Sequence, residues 1–214
     1  MDDCRKILVS GLEALNQNLT EHQIEQLLAF ITLIEKWNKS YNLTSIRDRA
    51  SMVPMHLLDS LAIVPFIAGK RVIDIGTGAG LPGIVLAVCF PDIEFVLLDS
   101  NAKKTRFVQQ AILELKLTNV SVCHNRVELY RADNNFDIAI TRAFASLEDI
   151  VRLTAHLLNK EGVLLAMKGQ VPDVSMLTSV QTDLYPLSVP GIEGERCLVK
   201  IHLNQVAEVS AWEK

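Results

Sequence analysis

Cysteine is scarce and scattered in this chain, with four among 214 residues, and no two of them form a C-x-x-C pair. Cys4, Cys89, Cys123 and Cys197 therefore predict neither a zinc site nor a disulfide framework, and they fit a reducing, cytoplasmic setting. Long apolar runs are also missing; none approaches the ~20 residues that span a bilayer. The opening Met1-Asp2-Asp3-Cys4-Arg5-Lys6 puts acids ahead of bases with no apolar core behind them, so no signal peptide is expected. Positive charge is not in excess. The net charge of −4 gives no bulk attraction for phosphate, although a local basic face can coexist with an acidic total. No repeat, low-complexity segment or Gly/Ser linker divides the chain. Its length suits one domain with a small helical extension.

What is present changes character near residue 70. Up to there the pattern is helical. Thr20-Glu21-His22-Gln23 has capping-box spacing, and Ile24, Leu27, Leu28, Ile31, Ile34 and Trp37 follow at helical intervals. A second amphipathic stretch runs from about Asp48 to Ile67, with Pro54 near its start. This predicts an N-terminal helical cap over residues 1–68, followed by an α/β unit over 69–214. In that unit strands are expected at Arg71–Ile75, Glu94–Asp99, Val120–His124, Phe136–Thr141, Gly162–Lys168, Leu184–Val189 and Arg196–Leu203. Helices are expected at Leu81–Cys89, Ala102–Leu115, Leu147–Leu158 and Val174–Val180. Strands separated by helices imply a parallel doubly wound sheet. The last two strands have no helix between them, which implies an antiparallel hairpin at one edge.

The first strand breaks into glycine, and two registers overlap in the break. Read from Gly78, Gly78-Ala79-Gly80-Leu81-Pro82-Gly83 is a dinucleotide fingerprint; read from Asp74, the run is Asp-x-Gly-x-Gly-x-Gly. Glycines at a strand's carboxyl end permit positive φ and close approach of a ligand. Asp99 ends the second strand, where an acid can accept both ribose hydroxyls of an adenosine. Asp74 would repel a pyrophosphate but suits a cofactor with a sulfonium and a free amino group. The register from Asp74, that of a methyl-donor site, is therefore preferred. Val127 and Glu128 follow the third strand, where an adenine edge would lie. Arg142 ends the fourth strand, where the transferred methyl group would point.

Assembled in order, these segments resemble the bacterial small-subunit ribosomal RNA guanine-N7 methyltransferase family, known as RsmG or GidB. The resemblance is carried by Lys36-Trp37-Asn38-Lys39-x-Tyr41-Asn42-Leu43-Thr44, His56-x-x-Asp59-Ser60, Asp74 to Gly83 and Leu98-Asp99-Ser100. It continues through Asn125-Arg126-Val127-Glu128, Thr141 to Ala145 and Met167-Lys168-Gly169-Gln170. It implies a class I S-adenosylmethionine-dependent methyltransferase (Rossmann-like) fold, S-adenosylmethionine as methyl donor, and methylation of a guanine in the 530 loop of 16S rRNA. By position, Gly76, Leu81, Val127, Glu128 and Arg142 match the family's cofactor contacts; Gly78 and Asp99 are added from the glycine run and the strand end. Candidate RNA contacts are Asn42, His56, Asp59, Arg142 and Lys168, with Arg196 less certain. Met55 stands where relatives often carry Arg, which removes one candidate RNA contact, and Leu129 follows Glu128 where they often have a second acid. No metal, membrane or obligatory general base is expected. The residues alone leave three other readings open: methylation of a small molecule, an NAD-dependent oxidoreductase using the late glycine register, and a non-catalytic assembly factor.

Overall fold

The computed structural model describes residues 3–142, 146–178 and 180–203. Helix α1 (Asp3–Ala14) leads into α2 (Glu21–Tyr41), whose start is fixed by the expected capping box. Thr20 Oγ1 accepts from the Gln23 N–H and Gln23 Oε1 accepts from the Thr20 N–H. Asn42 closes α2 in the left-handed conformation, φ 51°. The apolar stripe Leu27, Leu28, Phe30, Ile31 and Ile34 is buried. It points at later elements of the chain, and Trp37 lies 5.9 Å from the Phe107 ring.

The amphipathic stretch expected over about 48–67 is built from four short helical pieces. These are α3 (Arg49–Met52), a π-helix (Val53–Leu58), α4 (Asp59–Leu61) and a 3-10 turn (Val64–Phe66). Pro54 supplies no N–H to a helical ladder. Its carbonyl accepts from the Asp59 N–H, five residues on, which is the π spacing.

Then come β1 (Arg71–Ile75), α5 (Gly83–Cys89), β2 (Glu94–Asp99), α6 (Ala102–Leu115), β3 (Val120–His124) and β4 (Phe136–Arg142). They are followed by α7 (Leu147–Thr154), β5 (Leu158–Lys168), β6 (Gln181–Pro186) and β7 (Cys197–His202). The sheet order is β3-β2-β1-β4-β5-β7-β6. Strands β1 to β5 are parallel, while β7 runs antiparallel to both β5 and β6. This is the expected seven-stranded sheet with a closing hairpin. Strand order reverses between β1 and β4, so ligands belong at the carboxyl ends of these two strands.

Several boundaries differ from the sequence reading: α7 ends at Thr154 rather than Leu158, β5 starts at Leu158 rather than Gly162, and β6 ends at Pro186 rather than Val189. No helix forms over 174–180 among the described residues. Asp173 instead accepts from the Ser175 N–H at 2.8 Å, a local turn that competes with a helix. Strand β6 starts at Gln181 rather than Leu184; it lies at the sheet edge, where polar Gln181 is exposed while Thr182 and Asp183 are half-buried. The helix after the glycine run starts at Gly83, not Leu81, since the N–H groups of Gly80 and Leu81 first turn back to the Thr77 carbonyl.

Candidate active site

The glycine run folds into a tight turn at the end of β1. Gly76, Gly78 and Gly80 have φ of 70°, 60° and 79°, a region costly for side chains with a Cβ. The turn is tied down from two sides. The N–H groups of Gly76 and Thr77 donate to the Leu98 carbonyl on β2. Beneath it, Asp74 Oδ2 accepts from Thr77 Oγ1 at 2.7 Å and from the Gly83 N–H at 2.9 Å. Asp74 is fully buried, so its carboxylate staples the turn rather than facing a ligand in the open; its Oδ1 has no partner among the described residues. Burial pushes its pKa up to about 6, although the two hydrogen bonds pull the other way.

Over the turn lies a cavity of about 340 Å³, within the ~300–1,000 Å³ usual for small-molecule sites. Gly76, Asp99, Val127, Glu128 and Arg142 line it, as do Ser100, Lys104, Asn125 and Arg126. Asp99 is buried with its oxygens already organised: Oδ2 accepts from the Gly78 N–H and Oδ1 from the Asn101 N–H. The helix α6 is capped by Asn101, not by Asp99. Gly78 and Leu81 lie outside the lining. Gly78 shapes the turn, and Leu81 is buried in the core shared with α2. Lys104 carries no local sequence signal for the site; only the folded turn, with Lys104 Nζ 4.0 Å from where a Gly78 side chain would begin, reveals its place.

A second cavity, about 390 Å³, opens on the cap side. His56, Asp59 and Lys168 line it together with Thr44, Met55 and Arg196. Arg142 lines both cavities. Its guanidinium donates to Asp59 Oδ2 at 3.2 Å, and Arg196 Nε donates to Asp59 Oδ1 at 3.1 Å. Asn42 lines neither cavity; it is the exposed C-cap of α2. The structural weight in that segment falls on Asn38, which the sequence motif contains without marking its role. Buried Asn38 bonds Thr44 through both its carbonyl and its amide, folding the loop back so that Thr44 Oγ1 meets His56 Nε2 at 3.1 Å. Of the Thr141 to Ala145 motif, residues 143–145 lie outside the described residues.

Burial and the nearby Arg142 guanidinium push the His56 pKa down to about 4, so its ring is neutral near pH 7. The two buried groups give opposite pH dependences. His56, lowered from 6.5, contributes stability that is present above pH 6.5 and lost as pH falls to about 4. Asp74, raised from 3.8, contributes stability that is present below pH 3.8 and lost as pH rises to about 6. Each amounts to about 3 kcal/mol at 1.36 kcal/mol per pKa unit. Relative to the unaltered chain, Asp74→Asn is expected to gain stability from pH 4 to 6, and His56→Asn to lose it. Urea midpoints at the two pH values read the difference; parallel profiles for all three proteins would refute the assignment.

Among the described residues no group of His, Cys, Asp and Glu is arranged to hold a metal ion, and no helix is long and apolar enough to cross a membrane. Solved structures share the fold. A SAM-dependent methyltransferase from Aquifex aeolicus superposes with a TM-score of 0.55 at 15% identity, covering 71% of this chain and 93% of that one. Magnesium protoporphyrin IX methyltransferase from Synechocystis gives 0.57 at 14%, covering 81% and 97%. The sheet is thus that of a class I methyltransferase. The family model described as rRNA small subunit methyltransferase G matches residues 23–183. The ribosomal RNA small subunit methyltransferase G of Legionella pneumophila is 49% identical over 193 residues, 88% of this chain and 93% of the relative. That of Nitrosococcus oceani is 49% identical over 206 residues, 94% and 96%. By this match, over a fold and a glycine turn that accord with it, the chain belongs to the ribosomal RNA small subunit methyltransferase G family.

Proposed function

We propose that this chain transfers the methyl group of S-adenosylmethionine to N7 of a guanine in the 530 loop of 16S rRNA, acting on the small ribosomal subunit in the cytoplasm. The observation that carries this reading is the meeting of two cavities at Arg142. One is fitted to a nucleoside-like ligand and the other is rimmed by cations.

The residues of the first cavity fit the donor. The side chain of Asp99 sits at a strand end with both oxygens pre-oriented by backbone N–H groups, leaving lone pairs for ribose hydroxyls. Gly76 keeps the wall free of a Cβ, and the backbone at Val127 and Glu128 offers groups for an adenine edge. When bound, the donor supplies an electrophilic methyl group on a sulfonium. Guanine N7 carries an in-plane lone pair and needs no deprotonation, so the protein's work is alignment and charge placement. Neutral His56 accords with that, since no base is required of it. Among the described residues, Arg142, Lys168 and Arg196 line the second cavity, with Asp59 bonded to the two arginines. Cationic side chains there suit a phosphate-bearing substrate despite the chain's negative total.

The test is incubation with radiolabelled S-adenosylmethionine and small subunits lacking their N7-methylguanine, followed by mapping of the label. Label on one guanine N7 of the 530 loop is expected. Label on another base, on a metabolite or only on protein would overturn the reading.

A further inference from the structure

The junction of the two cavities is held by one side chain. Asp59 is buried, its side chain 7% exposed, yet it binds two guanidiniums, one on each carboxylate oxygen. Arg142 comes from the end of β4 and Arg196 from the residue before β7. Asp59 itself belongs to the cap, so three separate parts of the chain converge on its carboxylate.

The π-helix explains how it gets there. Its wider turn sends the Asp59 N–H to the Pro54 carbonyl and places Met55, His56 and Asp59 together on the cavity wall. The loop before β7 closes over the same turn: a side chain at Gly191 would begin 3.1 Å from Pro54 Cβ. Arg196 is thereby delivered to Asp59, and its Nη2 lies 4.0 Å from Met55 Sδ. Such an arrangement is a poor way to gain stability. A carboxylate taken out of water loses about as much as its partners return, and apolar residues of similar size would serve the fold equally well. What it does supply is geometry. Among the described residues, Nε and Nη2 of Arg142 make no hydrogen bond, so these donors are held in place and available.

We propose that Asp59 is the positioning residue of the transfer site, its one carboxylate holding Arg142 and Arg196 as a fixed pair that grips the target nucleotide. Arg196 then becomes a substrate-binding residue contributed by the C-terminal hairpin. The inference rests on the RNA-methylation reading above.

Steady-state kinetics on unmethylated small subunits test it with Arg196→Ala, Asp59→Asn and the double variant. Arg196 lines only the second cavity. Its loss is expected to raise KM for the subunit by about tenfold to a hundredfold, the worth of a charged hydrogen bond. The dissociation constant for S-adenosylmethionine should stay within about twofold, because no contact to that cavity is removed. Asp59→Asn is expected to raise KM and lower kcat together. In the double variant the loss of Arg196 should add little to KM, since the pair is already released. Unchanged KM in Arg196→Ala, or strictly additive effects in the double variant, would overturn the proposal. Should Asp59→Asn fail to fold, Arg196→Ala and Arg196→Lys still decide it, with lysine expected to restore only part of the affinity. Absence of methylation by the unaltered chain would instead refute the function reading itself.

Discussion

Arg142→Ala is expected to cut methyl transfer to the small subunit by about 10²–10³-fold, the loss typical of removing a preorganised charged donor from a reacting centre. The reason is position. Arg142 is the last residue of β4, beside the reversal in strand order, and among the described residues the one cationic side chain that lines both cavities. Its removal widens the junction between donor and acceptor and leaves the acceptor side without one of its cations. The fold should survive. The guanidinium is about a quarter exposed, and Asp59 keeps Arg196 as a partner, so no buried charge is stranded. Label incorporation and a thermal melt on the same preparation separate the two effects. Near-normal turnover would remove Arg142 from the site; loss of activity together with the melting transition would make its role structural.

Gly83→Ala should act oppositely, through stability first. A Cβ at Gly83 would start 2.1 Å from Leu97 Cδ2 and 2.7 Å from Asp74 Oδ2. Leu97 is wholly buried in the sheet and cannot swing into solvent. Asp74 Oδ2 is the acceptor that staples the glycine turn. Overpacking of this kind costs about 1–3 kcal/mol, and the loosened staple places Gly83 at the upper end. For a chain of this size that is a fall of about 6–12 °C in Tm. The cofactor cavity shares the turn, so donor affinity should drop as well. An alanine variant that melts with the unaltered protein would mean the turn rearranges without cost. Gly78→Ala makes a useful contrast: it has positive φ but no close neighbour, so strain appears there without collision.

The strands and helices nearest the site were legible because their signals are local. The apolar runs of β1, β2 and β3 and the amphipathic α6 begin and end where the residue pattern changes. The capping box at Thr20 and Gln23 is equally local, two residues apart by three. Asp173 defeated the helix expected over 174–180 with a turn whose energy periodicity does not register. Gln181 looked too polar for a strand because its exposed face cannot be known before the sheet is assembled. In the site, strand-end residues such as Asp99 and Arg142 follow from topology alone. Asp74 carried a correct signal for the turn but an incomplete account of its use, since burial beneath the loop depends on Gly83 returning over it. The pairing of Asp59 with Arg196 joins residues 137 positions apart and has no sequence signature. Neither does the π turn, beyond the presence of Pro54.

The apolar face of α2 carries a cost in time. Part of the surface that covers it is synthesised late, because Phe30 and Trp37 pack on Phe107. Phe107 leaves the ribosome about 70 residues after Trp37, a wait of roughly 4–14 s at bacterial elongation rates of ~5–20 residues per second. Throughout that interval Phe30 and Trp37 lack their Phe107 partner. A chaperone that holds short apolar helices has its natural opportunity there, and a cap expressed without α6 would present the same stripe to its own copies.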